Sequence, residues 1–221
     1  MKLIEVGLLS PNLEAQRQFY TETLGLPLIA GDAGSFAVQA GQTRLSFRAA
    51  ASQAGPYHLA FDVLEHRFAD AAGWIGARVP LLSEGSQDTF FSPNWNADML
   101  YFTDPCGNIL ELIARHTLPR PQHAGLLVNV SEVGVAVPNV LDTVERLRSA
   151  LSVGGYGEGS ASFSPVGTHA GLFIVVQEKR PWFPTAQAAV PLPVSIVAQT
   201  PRSGTVTLPT GPVQIIGVIG P

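Results

Sequence analysis

The chain has 221 residues, of which 46% are apolar and 14% are charged, and its formal net charge is −4. This composition provides enough apolar surface for a sizeable core and argues against intrinsic disorder. The sequence contains no block of basic residues, which argues against nucleic acid or an anionic membrane surface as a partner.

Three features of the sequence favour a soluble cytoplasmic protein. The apolar run after Lys2 is short and is interrupted by Glu5, which is not typical of a signal peptide. The longest apolar runs, such as AGLFIVV at 170–176, are too short to span a bilayer. Cys106 is the single cysteine, which excludes an internal disulfide and fits a reducing compartment.

One phrase occurs twice in the chain, as IEVGLLSPN at 4–12 and as SEVGVAVPN at 131–139. Both copies are typical of a strand that enters an amphipathic helix, with the asparagine as the helix N-cap. Short β-type runs follow the first helix at 26–30, 35–40 and 43–49. The first structural unit is therefore predicted to be βαβββ.

A second unit of the same kind is predicted to begin with the strand YHLAFDV at 57–63. A helix is expected at about 65–77, where apolar residues recur with helical spacing. The unit ends with two strands at 98–104 and 108–115, which are predicted to pair across a turn at 105–107.

The remaining sequence indicates a third unit and a reduced fourth unit. The third spans about 128–178, and the fourth has strands near 193–198, 204–208 and 213–219. The segment QTPRSG occupies the place where the helix of the fourth unit would lie, and it has no helical pattern.

These patterns together predict an α+β fold made of tandem βαβββ units in two domains, with the last unit lacking its helix. We expect a first domain at 1–115 and a second, divergent domain at 128–221. The intervening segment 116–127 is rich in proline and polar residues, which is typical of a linker.

Glu5, His58 and Glu111 each lie in the middle of a predicted strand among apolar neighbours. A buried carboxylate costs several kcal/mol unless it is paired or bound to a metal. Convergence on one divalent cation would explain all three, because two carboxylates and an imidazole suit Fe, Mn, Ni, Zn or Co. Alternatively, these groups lie on an open face or pair with arginines. The candidate arginines are Arg44, Arg48 and Arg115.

Three segments resemble the vicinal oxygen chelate superfamily: GLLSPNLEAQRQFYTETLGL at 7–26, YHLAFDV at 57–63 and YFTDPCGNILELIAR at 101–115. That group includes glyoxalase I, extradiol ring-cleavage dioxygenases, and fosfomycin- and bleomycin-resistance proteins. The DP-x-GN-x-x-EL segment at 104–112 is the most specific part. The resemblance covers 2–115, and the later part of the chain is similar to a second, divergent copy.

The resemblance implies that paired βαβββ units form U-shaped mixed sheets around a metal, with Glu5, His58 and Glu111 at the ligand positions. Two departures separate the chain from the family prototypes. Ring-cleavage enzymes use two histidines, whereas the first ligand here would be Glu5. The fourth ligand of glyoxalase I would fall on Leu45 or Ser46, and neither residue is a good ligand.

The leading functional hypothesis is a metal-dependent enzyme that acts on a small molecule with two adjacent oxygens. Glu5 or Glu111 is a candidate general base that would loosen from the metal, and Tyr101 is a candidate proton or hydrogen-bond donor, although a strand tyrosine is more often a packed aromatic. The alternatives are a protein that sequesters a small molecule, as in bleomycin resistance, and a structural module whose carboxylates pair with arginines.

The second copy of the phrase is expected to lack the chemistry of the first. Glu132 stands where Glu5 stands, but the strand at 193–198 contains no histidine. The position that corresponds to Glu111 falls on Gln214 or Ile215, which are not carboxylates. We therefore expect at most one metal in each chain, bound by the first half.

Without partner ligands, Glu132 is expected to be solvated or paired with an arginine such as Arg180 or Arg202. The segment KRPWFP at 179–184 is expected to pack on the first domain or on another subunit, so a homodimer is a further expectation.

Overall fold

The computed structural model describes residues 1–117, 125–208 and 211–220, so most of the predicted linker at 116–127 lies outside the described residues. The described residues form fifteen strands and three α-helices. The strands are β1 Lys2–Ser10, β2 Leu28–Gly31, β3 Ser35–Ala40, β4 Thr43–Ala49, β5 His58–Asp62, β6 Leu81–Leu82, β7 Thr89–Ser92, β8 Ala97–Thr103, β9 Ile109–Arg115, β10 Val130–Val137, β11 Phe163–Thr168, β12 Gly171–Gln177, β13 Val194–Gln199, β14 Gly204–Leu208 and β15 Val213–Val218. The helices are α1 Leu13–Gln18, α2 Phe68–Gly76 and α3 Val140–Leu151.

Two of the helices have an additional turn of different geometry. A π-helical turn at Phe19–Thr23 continues α1, and a 3₁₀ turn at Glu65–Arg67 precedes α2. The predicted absence of a helix from the fourth unit is confirmed, because β13 leads to β14 through residues 200–203 without one. Among the residues that the structure describes, no helix has the length and apolar character needed to cross a membrane.

The strands form two mixed sheets, which confirms the predicted α+β class. Sheet A has the order β14-β15-β13-β1-β4-β3-β2, and sheet B has the order β11-β12-β10-β5-β9-β8-β6, with β7 also paired to β8. Sheet A therefore combines the first and fourth units, and sheet B combines the second and third. Strand pairing thus crosses the boundary between the two predicted domains. The sequence does not reveal this arrangement, because the local pattern shared by the units does not specify which unit pairs with which.

The two copies of the repeated phrase occupy equivalent places in the two sheets. β1 lies between β4, which is parallel to it, and β13, which is antiparallel. β10 lies likewise between the parallel β12 and the antiparallel β5. Each copy also has an asparagine N-cap: Asn12 accepts a hydrogen bond from the backbone of Ala15, and Asn139 accepts one from Asp142.

Both copies also contain a bulge at the same point. The register with the antiparallel neighbour shifts between Leu3 and Glu5 in β1, and between Val130 and Glu132 in β10. A bulge places one extra residue on its strand and redirects the side chains next to it. The glutamate of the phrase follows this bulge in both sheets.

The two sheets differ in how their outer faces are covered. One large core of buried apolar residues joins both sheets and the helices, and it includes Phe47, Leu59, Phe102 and Leu147. A second, smaller cluster lies on the other face of sheet B, around Ala60. Both β5 and β9 are buried at every position, whereas β15 alternates between buried and exposed residues. Sheet B is therefore covered on both faces, and sheet A is open on one.

Asp104 joins the turn between β8 and β9 to the first helix. Its Oδ1 accepts hydrogen bonds from the backbone N–H groups of Cys106, at 2.9 Å, and Asn108, at 3.0 Å. Its Oδ2 accepts from Asn108 Nδ2 and Gln16 Nε2, both at 2.7 Å, and from the Tyr20 hydroxyl at 3.1 Å. This buried carboxylate fixes the start of β9, the strand that contains Glu111.

We predict that Asp104→Ala lowers the free energy of unfolding by about 3 kcal/mol or more, because several buried donors lose their acceptor. Asp32→Ala is the matched control, since Asp32 accepts from Gly34 and Ser35 in an exposed turn, and it should cost much less than Asp104→Ala. Urea denaturation followed by circular dichroism measures both losses. Equal losses would show that the Asp104 network contributes little.

Candidate metal centre

Three chemically suitable side chains meet at the middle of sheet B. His58 lies on β5, Glu111 on the neighbouring strand β9, and Glu132 on the other neighbour, β10. Glu111 and Glu132 are both register partners of Ala60, and His58 precedes Ala60 by two residues, so these side chains share one face. Because Ala60 has a small side chain, it leaves space between the two carboxylates.

The distances within this group are short enough for a common ligand. His58 Nε2 lies 3.6 Å from Glu111 Oε2 and 4.0 Å from Glu132 Oε2. One potential ligand atom from each of the three residues lies within 4.8 Å of the others. All three residues are buried, with exposed fractions of 3% to 6%.

Arg115, at the end of β9, orients the side chain of Glu132. Its guanidinium donates to Asp62 Oδ1 at 2.6 Å, to Ser131 Oγ at 3.2 Å, and to Glu132 Oε1. The Arg115 side chain is completely buried. Arg115 thus engages one oxygen of Glu132, and the other oxygen, Oε2, is the one that lies nearest to His58.

Burial and mutual repulsion shift the pKa values of this cluster. Burial, and then the charge of Glu132, raise the pKa of Glu111 well above its usual value, although Arg115 opposes the shift. Burial raises the pKa of Asp62 to about 6 despite the ion pair with Arg115. Burial lowers the pKa of Arg115, but the charges of Glu132, Asp62 and Glu111 outweigh this effect and raise it. Groups of perturbed residues in a cavity are typical of functional sites.

The composition of the cluster fits a divalent cation. Three buried carboxylates, Asp62, Glu111 and Glu132, face a single buried guanidinium, that of Arg115. Such an excess of buried negative charge is costly unless protons or a cation balance it. One imidazole and two carboxylates are also the donors that Fe, Mn, Ni, Zn and Co accept. His58, Glu111 and Glu132 are therefore the residues that would hold a metal.

The segment between the third and fourth units covers the cluster. The segment from 178 to 192, which we call the strap, places Trp182 against His58, with ring centroids 5.0 Å apart and planes inclined by 28°. A Cβ atom at Gly134 would lie 2.7 Å from Trp182 and 3.0 Å from His58, so glycine permits this close packing. The expectation that 179–184 packs on the first half of the chain is confirmed.

The cluster and the strap enclose a cavity of about 200 Å³. Aromatic side chains form part of its wall, and Tyr101 faces Glu111 in the register between β8 and β9. Burial, together with the charges of Glu111 and Glu132, raises the pKa of Tyr101 well above its usual value. The residues that line the cavity are His58, Ser92, Trp95, Met99, Tyr101, Glu111, Glu132, Phe163, Ile174, Arg180, Trp182 and Phe183.

The structure brings together two members of the predicted ligand set, His58 and Glu111, but it does not bring Glu5 to them. Glu5 lies on β1 in sheet A, its side chain is 40% exposed, and its Oε1 is 3.5 Å from Arg44 Nε. The third position of the cluster is occupied by Glu132. The expected solvation of Glu132, or its pairing with Arg180 or Arg202, is wrong, because this side chain is buried and paired with Arg115.

Sheet A keeps the architecture of the centre but has different residues. Val197 pairs with Glu5 and with Ile216, as Ala60 pairs with Glu132 and with Glu111. Ile216 therefore stands where sheet B has Glu111, rather than Gln214 or Ile215 as predicted. Ser195 likewise stands where sheet B has His58. Sheet A, which contains Glu5, therefore lacks the histidine and the second carboxylate. The prediction instead assigns this lack to the copy that contains Glu132.

The position of Glu132 beside His58 and Glu111 could have been predicted from the apolar pattern of the neighbouring strands. GLFIVV at 171–176 is continuously apolar, which is typical of a strand buried on both faces, whereas TRLSFRA at 43–49 alternates. The strands that contain His58 and Glu111 are also largely apolar. Grouping strands by this criterion would have placed Glu132 beside the other two residues.

Comparison with known proteins identifies the fold. No protein-family model matches the sequence, and no curated protein matches it either. A proposed dioxygenase from Bacillus subtilis has a similar structure, with a TM-score of 0.65 and 13% identity over 98% of this chain and 85% of that one. Glyoxalase I from Zea mays has a TM-score of 0.60 and 11% identity, over 99% of this chain and 92% of that one. The chain has the vicinal oxygen chelate fold.

We predict that Arg115→Met destabilises the protein by about 3–5 kcal/mol at pH 8, because it leaves buried carboxylates without a counter-charge. The loss should be smaller at pH 5. The native pKa of Asp62, about 6, lies above its unfolded value of 3.8, so the native state is favoured where Asp62 is protonated and loses stability as the pH rises through this window.

Arg44→Met is the control, because it removes an exposed ion pair and should cost less than about 1 kcal/mol at either pH. Urea denaturation at the two pH values measures both variants. A pH-independent loss for Arg115→Met would contradict the proposed charge imbalance.

Proposed function

We propose that this chain is a metal-dependent enzyme that acts on a small molecule with two adjacent oxygens, and that His58, Glu111 and Glu132 hold the metal. The observation that supports this proposal is the convergence of one imidazole and two carboxylates at a buried point on the wall of an aromatic cavity. Three protein ligands would leave coordination positions for substrate. Fe, Mn, Ni, Zn and Co all fit this donor set.

A bound divalent cation would act as a Lewis acid on the adjacent oxygens of the substrate. Glu111 is the proposed general base, because its carboxylate lies on the cavity wall and would take up a proton from a substrate carbon or hydroxyl on loosening from the metal. Arg115 maintains the orientation of Glu132 through an ion pair that does not reach the cavity surface. The distinction between isomerisation, ring cleavage and group addition depends on the substrate.

Tyr101 is the proposed hydrogen-bond donor to the reacting oxygen. Its phenol lies beside Glu111 on the neighbouring strand and lines the cavity. A tyrosine phenol is protonated at neutral pH, and burial raises the pKa of this one further, so it is available to donate to an oxyanion. Trp182 and Trp95 contribute apolar surface that limits the access of water to these groups.

We predict that the wild-type protein binds one Mn²⁺ per chain and that Glu132→Gln or His58→Gln weakens this binding at least tenfold. Each substitution removes a donor of the cluster. Glu5→Gln is the matched control and should leave the affinity unchanged, because Glu5 lies on the other sheet. Isothermal titration calorimetry with Mn²⁺ on chelator-treated protein measures the affinities and the stoichiometry.

Loss of Mn²⁺ binding in Glu5→Gln, with retention in Glu132→Gln, would overturn the assignment of the ligands. Substrate turnover that is abolished by a chelator and restored by metal would support an enzyme. Ligand binding without turnover, and without any effect of chelator, would instead indicate a protein that sequesters small molecules.

A further inference from the structure

Arg180 is a basic side chain on the wall of the cavity without a carboxylate partner among the described residues. It lies on the strap, two residues before Trp182. Its backbone is held in place, because its N–H donates to Gln177 O at 3.2 Å and its carbonyl accepts from Ala189 N at 2.8 Å. Its guanidinium lies over the ring of Phe163, with Cζ 4.9 Å from the ring centroid.

The position of Arg180 carries a cost that an anion would offset. Partial burial lowers the pKa of its guanidinium, because the charged form loses hydration. Its side-chain hydrogen bond among the described residues is one from Nη1 to Pro181 O, at 3.2 Å, which leaves other N–H groups of the guanidinium available. A planar guanidinium with free donors is suited to bidentate pairing with a carboxylate.

The charges along the cavity wall favour an anionic ligand once a metal is bound. The charged residues that line the cavity are Glu111, Glu132 and Arg180. Arg115 pairs with Glu132 but does not line the cavity. A divalent cation neutralises the two carboxylates and leaves the positive charge of Arg180. This arrangement disfavours a neutral ligand relative to one with a negative charge.

The size and walls of the cavity limit the ligand further. A cavity of about 150 Å³ can hold benzene, so the volume of about 200 Å³ fits one ring with small substituents. Flat aromatic side chains, including Trp182 and Phe163, offer surfaces on which a planar molecule can stack. A carboxylate fits this volume better than the bulkier phosphate group.

We propose that the substrate of this cavity is a small planar carboxylate, with the carboxylate bound by Arg180 and the adjacent oxygens directed to His58, Glu111 and Glu132. The part concerning the adjacent oxygens rests on the proposed function. Arg180 is the residue that determines the preference for an anion.

Two probes of nearly equal shape test this proposal: 3,4-dihydroxybenzoate, which is an anion, and 3,4-dihydroxybenzamide, which is neutral. Their affinities are measured by calorimetry on Mn²⁺-loaded protein without oxygen, at pH 7.5. The wild type should bind the acid at least tenfold more tightly than the amide. Arg180→Met should remove this preference and leave the affinity for the amide within about twofold, while Arg180→Lys should retain part of it.

Lys179→Met is the control variant, because Lys179 is adjacent in sequence and exposed but does not line the cavity. It should keep the wild-type preference. Equal affinities of wild type for the two probes, or a preference for the acid that survives in Arg180→Met, would overturn the proposal.

Catechol binding separates this inference from the function on which it rests. Mn²⁺-dependent binding of catechol with no preference for the acid over the amide would leave the metal centre intact and reject the role of Arg180. Absence of Mn²⁺ binding and of catechol binding would reject the proposed function. A preference for benzoate over benzamide that depends on Arg180 in the metal-free protein would then still support anion recognition.

Discussion

The ion pairs of Arg115 are the interaction on which the rest of the centre depends. A completely buried guanidinium bridges Asp62 on β5 and Glu132 on β10, so it joins three adjacent strands of sheet B. Without it, both buried carboxylates would lack a counter-charge, and isolated buried charges are strongly unfavourable. Arg115 does not balance all three carboxylates of the cluster, and Glu111, beside His58, is where a cation would be held.

Burial and partner residues, rather than backbone geometry, explain why the three-residue cluster forms in only one of two equivalent sheets. The bulge before the glutamate is present in both β1 and β10, so both sheets could present a carboxylate at this point. In sheet B, the strap covers the face, and Gly134 leaves room for Trp182 over His58. The corresponding face of sheet A remains open to water, and Glu5 makes an exposed pair with Arg44. The duplicated phrase therefore preserves a fold, while burial and partner residues determine whether it contributes to a cluster that could hold a metal.

The local elements were predictable because the chain signals them strongly. Alternating and continuous apolar runs mark the strands, Asn12 and Asn139 mark helix starts, and the turn around Asp104 marks the β8–β9 hairpin. The convergence of His58 and Glu111 was predictable because polar side chains in buried strands need a partner. The choice between Glu5 and Glu132 was not settled by the repeated phrase, since it depends on long-range pairing between units. The signal available in the sequence was the continuous apolar character of the neighbouring strands, which is typical of strands buried on both faces.

The most direct test of the central claim is anomalous X-ray diffraction from a crystal grown with Mn²⁺. The account predicts one strong anomalous peak per chain at about 2.0–2.3 Å from His58 Nε2 and from one oxygen each of Glu111 and Glu132. Arg115 should remain paired with the other oxygen of Glu132. A peak beside Glu5, or protein crystallised at saturating Mn²⁺ with no peak at the three residues, would contradict it.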